Sequence, residues 1–423
     1  MAALERLDAA LDRICMGPKV PEGPKLIEIK CSTRPESVTP QSTVDIVSYN
    51  ILSSATASGG YYRDTDGQPR EFNENERRGM IYARIEGWME EGKVICLQEV
   101  TYSFLFHEEL RTLLETHRYD VYAHFYAFDV RTRTTTLGLA TFVPIDRFAV
   151  ADATLLRPWQ YALESRNRQA TLRDIETKIA SLKELKIQLS RNRQIEEAKL
   201  IQAQLNDLQS DQKALEAESK KEVASYNDRT VLMLRLQSGS RVVLIGNIHV
   251  PCQFKDAKVA TSIAFQAKQA VLAWAAQFDP APLVFCGDFN SMPRQAGYSC
   301  FTGTQVYDEE SIDPDRIQAD TFSNVVTSEP WQDALAISDG CTCYALTEAT
   351  VKAQAGAASF VPRPFHLDHF FVRDPDNLLK ITRRLCPTLE QVRSRTSDNP
   401  LPNLSINEPS DHLPIELTLD ARS

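Results

Sequence analysis

The chain has 423 residues, 43% of them hydrophobic and 25% charged, which excludes a disordered tail and a fibrous protein and allows one large domain with additions. Lysine and arginine total 47 against 57 aspartates and glutamates, a net charge of -10, so no general basic surface advertises a protein that tracks long nucleic acid. No run approaches the ~20 apolar residues of a membrane-spanning helix, and the start, MAALERLDAALDRIC, lacks the basic and apolar regions of a secretory signal.

Residues 1–42 begin with a short amphipathic pattern (Leu4, Leu7, Leu11, Ile14) and continue as a proline-rich stretch through Pro40, which predicts a helix and an extended connector. From residue 43 to 420 the pattern changes. Short apolar runs, VDIVSYNIL, KVICLQEV, YDVYAHFYA and TLGLATFV, alternate with helical stretches over Glu76–Glu90 and Phe104–Thr116, which means an α/β architecture.

Residues 160–225 interrupt it. They hold no glycine or proline, and apolar residues recur at Leu172, Ile175, Ile179, Leu182, Ile201, Leu205, Leu208 and Leu215, the spacing of a helix seam. A single helix of that length would reach roughly 100 Å, so an inserted antiparallel coiled-coil hairpin is expected, turning near Ser190–Arg193. Its apolar stripe makes it a candidate for docking a protein partner or for self-association. Strands then resume in TVLMLRLQ, RVVLIGNIHV and PLVFCGDFN, with a helix over Thr261–Gln277, and the chain closes with HLDHFFV and SDHLPIELTL. The coiled coil therefore divides one discontinuous domain.

The nine cysteines form no CxxC pair, and Cys96 and Cys286 lie inside strand-like apolar runs, so reduced thiols and an intracellular, cytoplasmic rather than nuclear or mitochondrial, setting are expected. Cys341-Thr-Cys343 is too close a pair for ordinary zinc-ligand spacing.

The chemically suggestive residues stand at strand ends. Asn50 ends VDIVSYN, Glu99 follows VICLQ, Asn247 and His249 end VVLIGNIH, and Asp288 and Asn290 close LVFCGDFN. Asp368 opens DHFFV, and Asp411-His412 precede LPIELTL. Singly, each has an ordinary reading: Gly-Asp-Phe-Asn is a turn, Ser-Asp-His a cap, His249 a structural histidine. Together they supply what a site built at one rim of a sheet needs.

In order, Tyr49-Asn50, Gln98-Glu99, Asn247-Ile248-His249, Gly287-Asp288-Phe289-Asn290, Asp368-His369-Phe370 and Ser410-Asp411-His412 resemble the motifs of the endonuclease/exonuclease/phosphatase superfamily. The resemblance spans about residues 43–420. It implies a four-layer α/β sandwich, two packed mixed β-sheets flanked by helices, and phosphoester hydrolysis with one or two Mg²⁺ or Mn²⁺ ions. Glu99, Asn50 and Asp411 are then the candidate metal ligands, with oxygens suited to a hard cation. Asp288 would orient or deprotonate water, Asn290 and His412 would donate to the phosphate, Asp368 would orient His412, and His249 would steady the scissile phosphate. Asn247, His249, Asn290 and Phe365 are candidate substrate contacts, Phe365 by stacking on a base or by packing in the core.

Within the superfamily, YNILSS, the Glu76-Arg77-Arg78 helix with Ile81 and Ile85, and Pro251, Asp256, Lys258, Val259 and Gln266 after His249 are similar to the deadenylase branch, which includes nocturnin, the Angel proteins and 2′-phosphodiesterase. Ile248 and His369 depart from its usual threonine and tyrosine. The implied activity is 3′→5′ exoribonuclease action on poly(A)-like RNA, with a small-nucleotide phosphatase or 2′-phosphodiesterase, a sphingomyelinase-like phosphodiesterase and a non-catalytic scaffold as alternatives.

Overall fold

Two-residue alternation sorts the strand side chains into two populations, and each population builds a different layer. A computed structural model describes residues 25–33, 35, 38, 40–53, 57, 73–129, 134–158, 163–225, 230–250, 257–293, 295–304, 330–335, 342–345, 352, 356, 363–388, 390 and 409–422. The strands are β1 (Ile27–Ile29), β2 (Thr43–Asn50), β3 (Val94–Gln98), β4 (Tyr119–Asp129), β5 (Thr134–Pro144), β6 (Ala149–Leu156), β7 (Val231–Ser238), β8 (Arg241–His249), β9 (Leu283–Asp288), β10 (Gln332–Asp333), β11 (Cys343–Ala345), β12 (Arg363–Phe365), β13 (Asp368–Arg373), β14 (Leu379–Leu385) and β15 (Ile415–Ala421). The helices are α1 (Glu74–Glu90), α2 (Tyr102–Leu105), α3 (Glu108–His117), α4 (Leu163–Arg191), α5 (Ile195–Ser225), α6 (Ala257–Ala275) and α7 (Ala296–Thr302).

One sheet runs β1-β4-β5-β3-β2-β15-β14 and the other β10-β13-β9-β8-β7-β6, with a small β11-β12 pair beside them. The pairs β2–β3 and β8–β9 are parallel and their neighbours antiparallel, so both sheets are mixed. Val44, Ile46, Val94, Cys96, Ile245 and Cys286 fill the space between the sheets. The alternate residues Val47, Tyr49, Ile95 and Leu97 pack on Ile81, Ile85 and Trp88 of α1 and on Leu110 and Leu114 of α3. On the far side, Leu244, Leu283, Phe285 and Phe371 meet Ile263, Val271 and Trp274 of α6 and Phe301 of α7. Each fully buried leucine, isoleucine or phenylalanine contributes about 2 kcal/mol, so both faces of every central strand hold the sandwich together. This is the four-layer arrangement that the resemblance implies.

The predicted elements appear with shifted limits. The stretch expected as one helix over Phe104–Thr116 is two, α2 and α3, each with its own side-chain cap, Thr101 and His107. Ile27–Ile29, inside the expected connector, pairs with β4 as an edge strand, while the amphipathic pattern at Leu4–Ile14 lies outside the described residues. Where a coiled coil is expected, α4 and α5 form a helical hairpin whose seam buries Ile175, Ile179 and Leu205, flanked by Leu182, Ile201, Leu208 and Leu215. The chain reverses at Asn192-Arg193, where Arg193 takes a left-handed φ of 61°.

Candidate active site

Parallel pairing aligns strand ends, and it does so once in each sheet. Asn50 sits opposite Gln98 across β2 and β3. In the second sheet His249 sits opposite Asp288 across β8 and β9, and Asp288 opposite Asp368 across β9 and β13. Two-residue alternation turns Asn50, His249, Asp288 and Asp368 toward the gap between the sheets. Asn50 Nδ2 closes that gap, donating to Asp288 Oδ2 at 3.0 Å and to Glu99 Oε1 at 3.2 Å.

Close backbone approach makes the arrangement possible. Gly287 has φ 143°, and a Cβ there would lie 1.9 Å from the Ile248 carbonyl oxygen, so only glycine lets β9 run this near β8. Leu52, Glu99 and Asn290 hold φ values of 55°, 59° and 45°, each a left-handed conformation costing about 1 kcal/mol. Hydrogen bonds secure all three: Leu52 N–H donates to Asn50 Oδ1 at 3.0 Å, Ser53 N–H donates to Glu99 Oε2 at 3.0 Å, and Asn290 donates its backbone N–H to Asp288 Oδ1 at 2.8 Å and Nδ2 to the Val250 carbonyl at 2.7 Å.

The Ser-Asp-His segment is tied to the same rim. Ser410 Oγ donates to the Asn50 carbonyl at 2.7 Å and accepts from His412 N–H at 3.2 Å. Buried Arg77 on α1 donates Nη1 to the carbonyls of Ile51, Leu52 and Pro409 at 2.9, 2.8 and 3.1 Å. One guanidinium therefore clamps the exit of β2 to the loop that carries Asp411 and His412.

Asp288 is the hub. Its Oδ2 lies 3.6 Å from both His249 Nε2 and His412 Nε2. The other nitrogen of each ring is held: His249 Nδ1 by the Tyr126 hydroxyl at 2.6 Å, His412 Nδ1 by Asp368 Oδ2 at 2.8 Å. Burial pushes the Asp288 carboxyl up to about 7, with Asp368 adding to the shift and His412 and hydrogen bonds from Asn290 and Asn50 opposing it. Burial alone would lower His412, but Asp368, Cys343, Asp288 and Asp411 outweigh it and raise the imidazole well above its ordinary value.

The donor set fits a hard divalent cation. Asp288, Asp368 and Asp411 crowd around the raised His412 imidazole, and Glu99 Oε1 lies 3.9 Å from His249 Nε2, an excess of negative charge in a space from which water is largely excluded. Oδ1 of Asp368 is buried without a hydrogen-bond partner, and Asp288, Asp368 and His412 place one ligand atom each within 4.8 Å of one another. Carboxylate oxygens dominate, as Mg²⁺ or Mn²⁺ requires. Asn50 contributes differently from the expected oxygen: its Oδ1 accepts from Leu52 N–H at 3.0 Å, and its amino group bridges Glu99 and Asp288.

Of the residues singled out in the sequence, Asn50, Glu99, His249, Asp288, Asn290, Asp368, Asp411 and His412 converge. Asn247 does not. It is fully buried one step deeper on the inner face of β8, accepting from Gln98 Nε2 at 2.8 Å and donating to the Leu97 and Ala140 carbonyls at 3.2 and 3.1 Å. Its amide is spent holding the two sheets together, which removes it from the expected substrate contacts. Phe365 is half-buried at the end of β12, its carbonyl accepting from Thr342 N–H. Gln266 is buried on α6, and Pro251 and Asp256 lie outside the described residues.

Sequence reasoning missed Tyr126, which fixes His249, and Thr342 and Cys343, which join β13 and the Ser-Asp-His loop. Thr342 Oγ1 accepts from Leu367 and Asp368 N–H at 2.9 and 3.0 Å. Only Arg77 carried a visible signal, in the Glu76-Arg77-Arg78 triplet.

A two-sheet sandwich with a buried carboxylate–histidine cluster at one rim is the architecture of a phosphoester hydrolase class, and the sequence comparison agrees. The pattern of the Endonuclease/Exonuclease/phosphatase family matches residues 47–412. The chain belongs to that family, whose members are phosphoester hydrolases that use divalent metal ions. No curated protein matches in sequence. Among solved structures, the catalytic domain of human nocturnin with bound sulfate is 13% identical, with 94% of this chain and 98% of that one covered and a TM-score of 0.50. ANGEL2, a 2′,3′-cyclic phosphatase in complex with adenosine-2′,3′-vanadate, is 16% identical over 94% of this chain and 99% of that one, with a TM-score of 0.52. Among the described residues no helix is long and apolar enough to cross a membrane.

Proposed function

We propose that the chain is a 3′→5′ exoribonuclease that releases 5′-mononucleotides from adenylate-rich RNA. The observation that carries the phosphodiester chemistry is the convergence on Asp288 Oδ2 of Asn50, His249 and His412 within 3.0–3.6 Å. Support for the substrate is the clamp made by Arg77, which gives the arginine-bearing helix, one of the features similar to deadenylases, a role at the rim.

In this reading a water attacks phosphorus, a new P–O bond forms, and the bond to the leaving nucleoside oxygen breaks. Asp288, poised near neutrality, takes the proton of the attacking water. His412, held charged by Asp368, and His249, held by Tyr126, donate to the non-bridging oxygens as charge develops there. Asn290 adds a neutral donor from its fixed turn. A divalent ion held by Glu99 and Asp411, with Asn50 beside them, would screen the phosphate and stabilise the leaving oxygen. Phe365, at the end of β12, is the candidate in this reading to stack on the terminal base.

A second reading, removal of a small 2′- or 2′,3′-cyclic phosphate, is favoured by the fold shared with ANGEL2, which is described as a 2′,3′-cyclic phosphatase. One assay separates them: purified protein with Mg²⁺ on end-labelled poly(A), a non-adenylate RNA, and adenosine 2′,3′-cyclic phosphate in parallel. A ladder on poly(A) alone supports the exoribonuclease. Hydrolysis of the cyclic nucleotide with both RNAs intact replaces it with the second reading.

A further inference from the structure

The site has a second face, made of different atoms. Cys343 opens β11, and its backbone forms an isolated antiparallel bridge with His412, while Leu413 N–H donates to the Thr342 carbonyl at 2.7 Å. Because Thr342 also holds Asp368, Cys343 is fixed from both sides. Its Sγ lies 4.0 Å from Asp411 Oδ2, and one ligand atom each from Cys343, Asp411 and His412 lie within 4.8 Å of one another, all three residues buried. The oxygen-rich set of Asp288, Asp368 and His412 shares the imidazole with this cluster, and the proposed magnesium site shares Asp411 with it.

We propose that Cys343, Asp411 and His412 form a binding site for a thiophilic divalent cation of the Zn²⁺ class, and that its occupation switches the hydrolase off. Sulfur, imidazole nitrogen and carboxylate oxygen are the three ligand types of a tetrahedral zinc centre and an unsuitable set for Mg²⁺. Two ligands of such an ion lie about 3.5 Å apart, so the cluster needs only small side-chain movements to close. Backbone pairing on both flanks means that little order must be gained. With a hard cation such as Mg²⁺ in the oxygen-rich set, the Cys343 thiol is a bystander, because such an ion takes oxygen ligands. A thiophilic cation changes that: the S–H bond of Cys343 and one imidazolium N–H bond of His412 break, both protons leave to solvent, S–metal and N–metal bonds form, and no electrons are transferred. His412 is the link to activity: its proposed role uses two N–H groups, one on Asp368 and one for the phosphate, and an imidazole bound to the ion keeps only one.

Binding is independent of the proposed reaction, whereas inhibition rests on it, and two measurements keep them apart. Cobalt(II) is titrated into the unmutated protein and into Cys343→Ser, and the near-ultraviolet thiolate-to-cobalt charge-transfer band is followed. Zinc inhibition of magnesium-dependent hydrolysis is measured on the same two proteins, each relative to its own zinc-free rate. The expected result is a one-per-chain band that disappears in Cys343→Ser, with zinc inhibition weakened at least about tenfold. Absence of the band in the unmutated protein, or a band that persists at equal strength in Cys343→Ser, overturns the site. A lost band with undiminished zinc inhibition keeps the site and overturns the switch. If no phosphoester is hydrolysed, the cobalt arm still decides the site.

Discussion

Asp288 and Asp368 stand directly opposite each other across β9 and β13, and His412 reaches both carboxylates, Nδ1 to Asp368 at 2.8 Å and Nε2 to Asp288 at 3.6 Å. Like charges this close in a buried space cannot both be comfortable. Burial first, with the Asp368 charge added, leaves Asp288 with a raised affinity for a proton, and the His412 imidazole offsets only part of it.

Asp288→Asn separates catalysis from stability. Hydrolysis is expected to fall by about 10²–10⁴, the usual contribution of a positioned proton acceptor. In chelator-containing buffer at neutral pH the melting temperature should stay or rise, because burial disfavours the charged carboxylate. Calorimetry beside a rate assay checks both; a large fall in melting temperature would show that Asp288 is chiefly structural.

Gly287→Ala forces a Cβ into the Ile248 carbonyl at a φ of 143°. The expected loss is about 4 kcal/mol or failure to fold, read by urea unfolding. An alanine variant of wild-type stability would mean that β8 and β9 do not approach as described.

Arg77→Ala leaves the carbonyls of Ile51, Leu52 and Pro409 without their shared donor, a loss of about 3 kcal/mol. Arg77→Lys should recover part of it. Turnover should drop further than in a core variant of matched stability, because the clamp joins Asn50 to the His412 loop.

His124 sets a pH dependence of stability. It is 2% exposed, and burial lowers its pKa to about 4, with Arg157 adding to the shift and the Lys25 carbonyl opposing it. Between about 4 and about 6.5 the unfolded chain therefore binds the extra proton, so stability falls as pH drops through that window, by up to about 1.4 kcal/mol per pH unit. His124→Gln should flatten that part of a urea-midpoint profile; an unchanged slope would assign it to other groups, His366 among them.

The sandwich was legible because its strands alternate cleanly, and the site because its residues terminate those strands. A pattern of period two places a side chain on a face but does not say how far below the rim it lies. Asn247 and His249 share the inner face of β8, yet only His249 reaches the opening, while Asn247 meets Gln98 and the backbone of the other sheet. Nothing local to Cys343 or Tyr126 marks them either. Their importance comes from partners 69 and 123 positions away or nearly so, at His412 and Asp411 for the first and at His249 for the second. Ile27–Ile29 was hidden because an edge strand of three residues needs only one neighbour.

The helical hairpin enters between two strands that are already partners: β6 leaves at Leu156 and β7 returns at Val231, and those two residues face each other in the ladder. During folding, that pairing would require closing a very long loop if α4 and α5 were flexible, each doubling of loop length adding about 0.6 kcal/mol of entropy. A hairpin that zips through its own local seam brings its two ends together first. The insertion thereby turns a distant contact into a near one, and the second sheet can grow from β6 and β7 at a rate set by local contacts rather than by chain length.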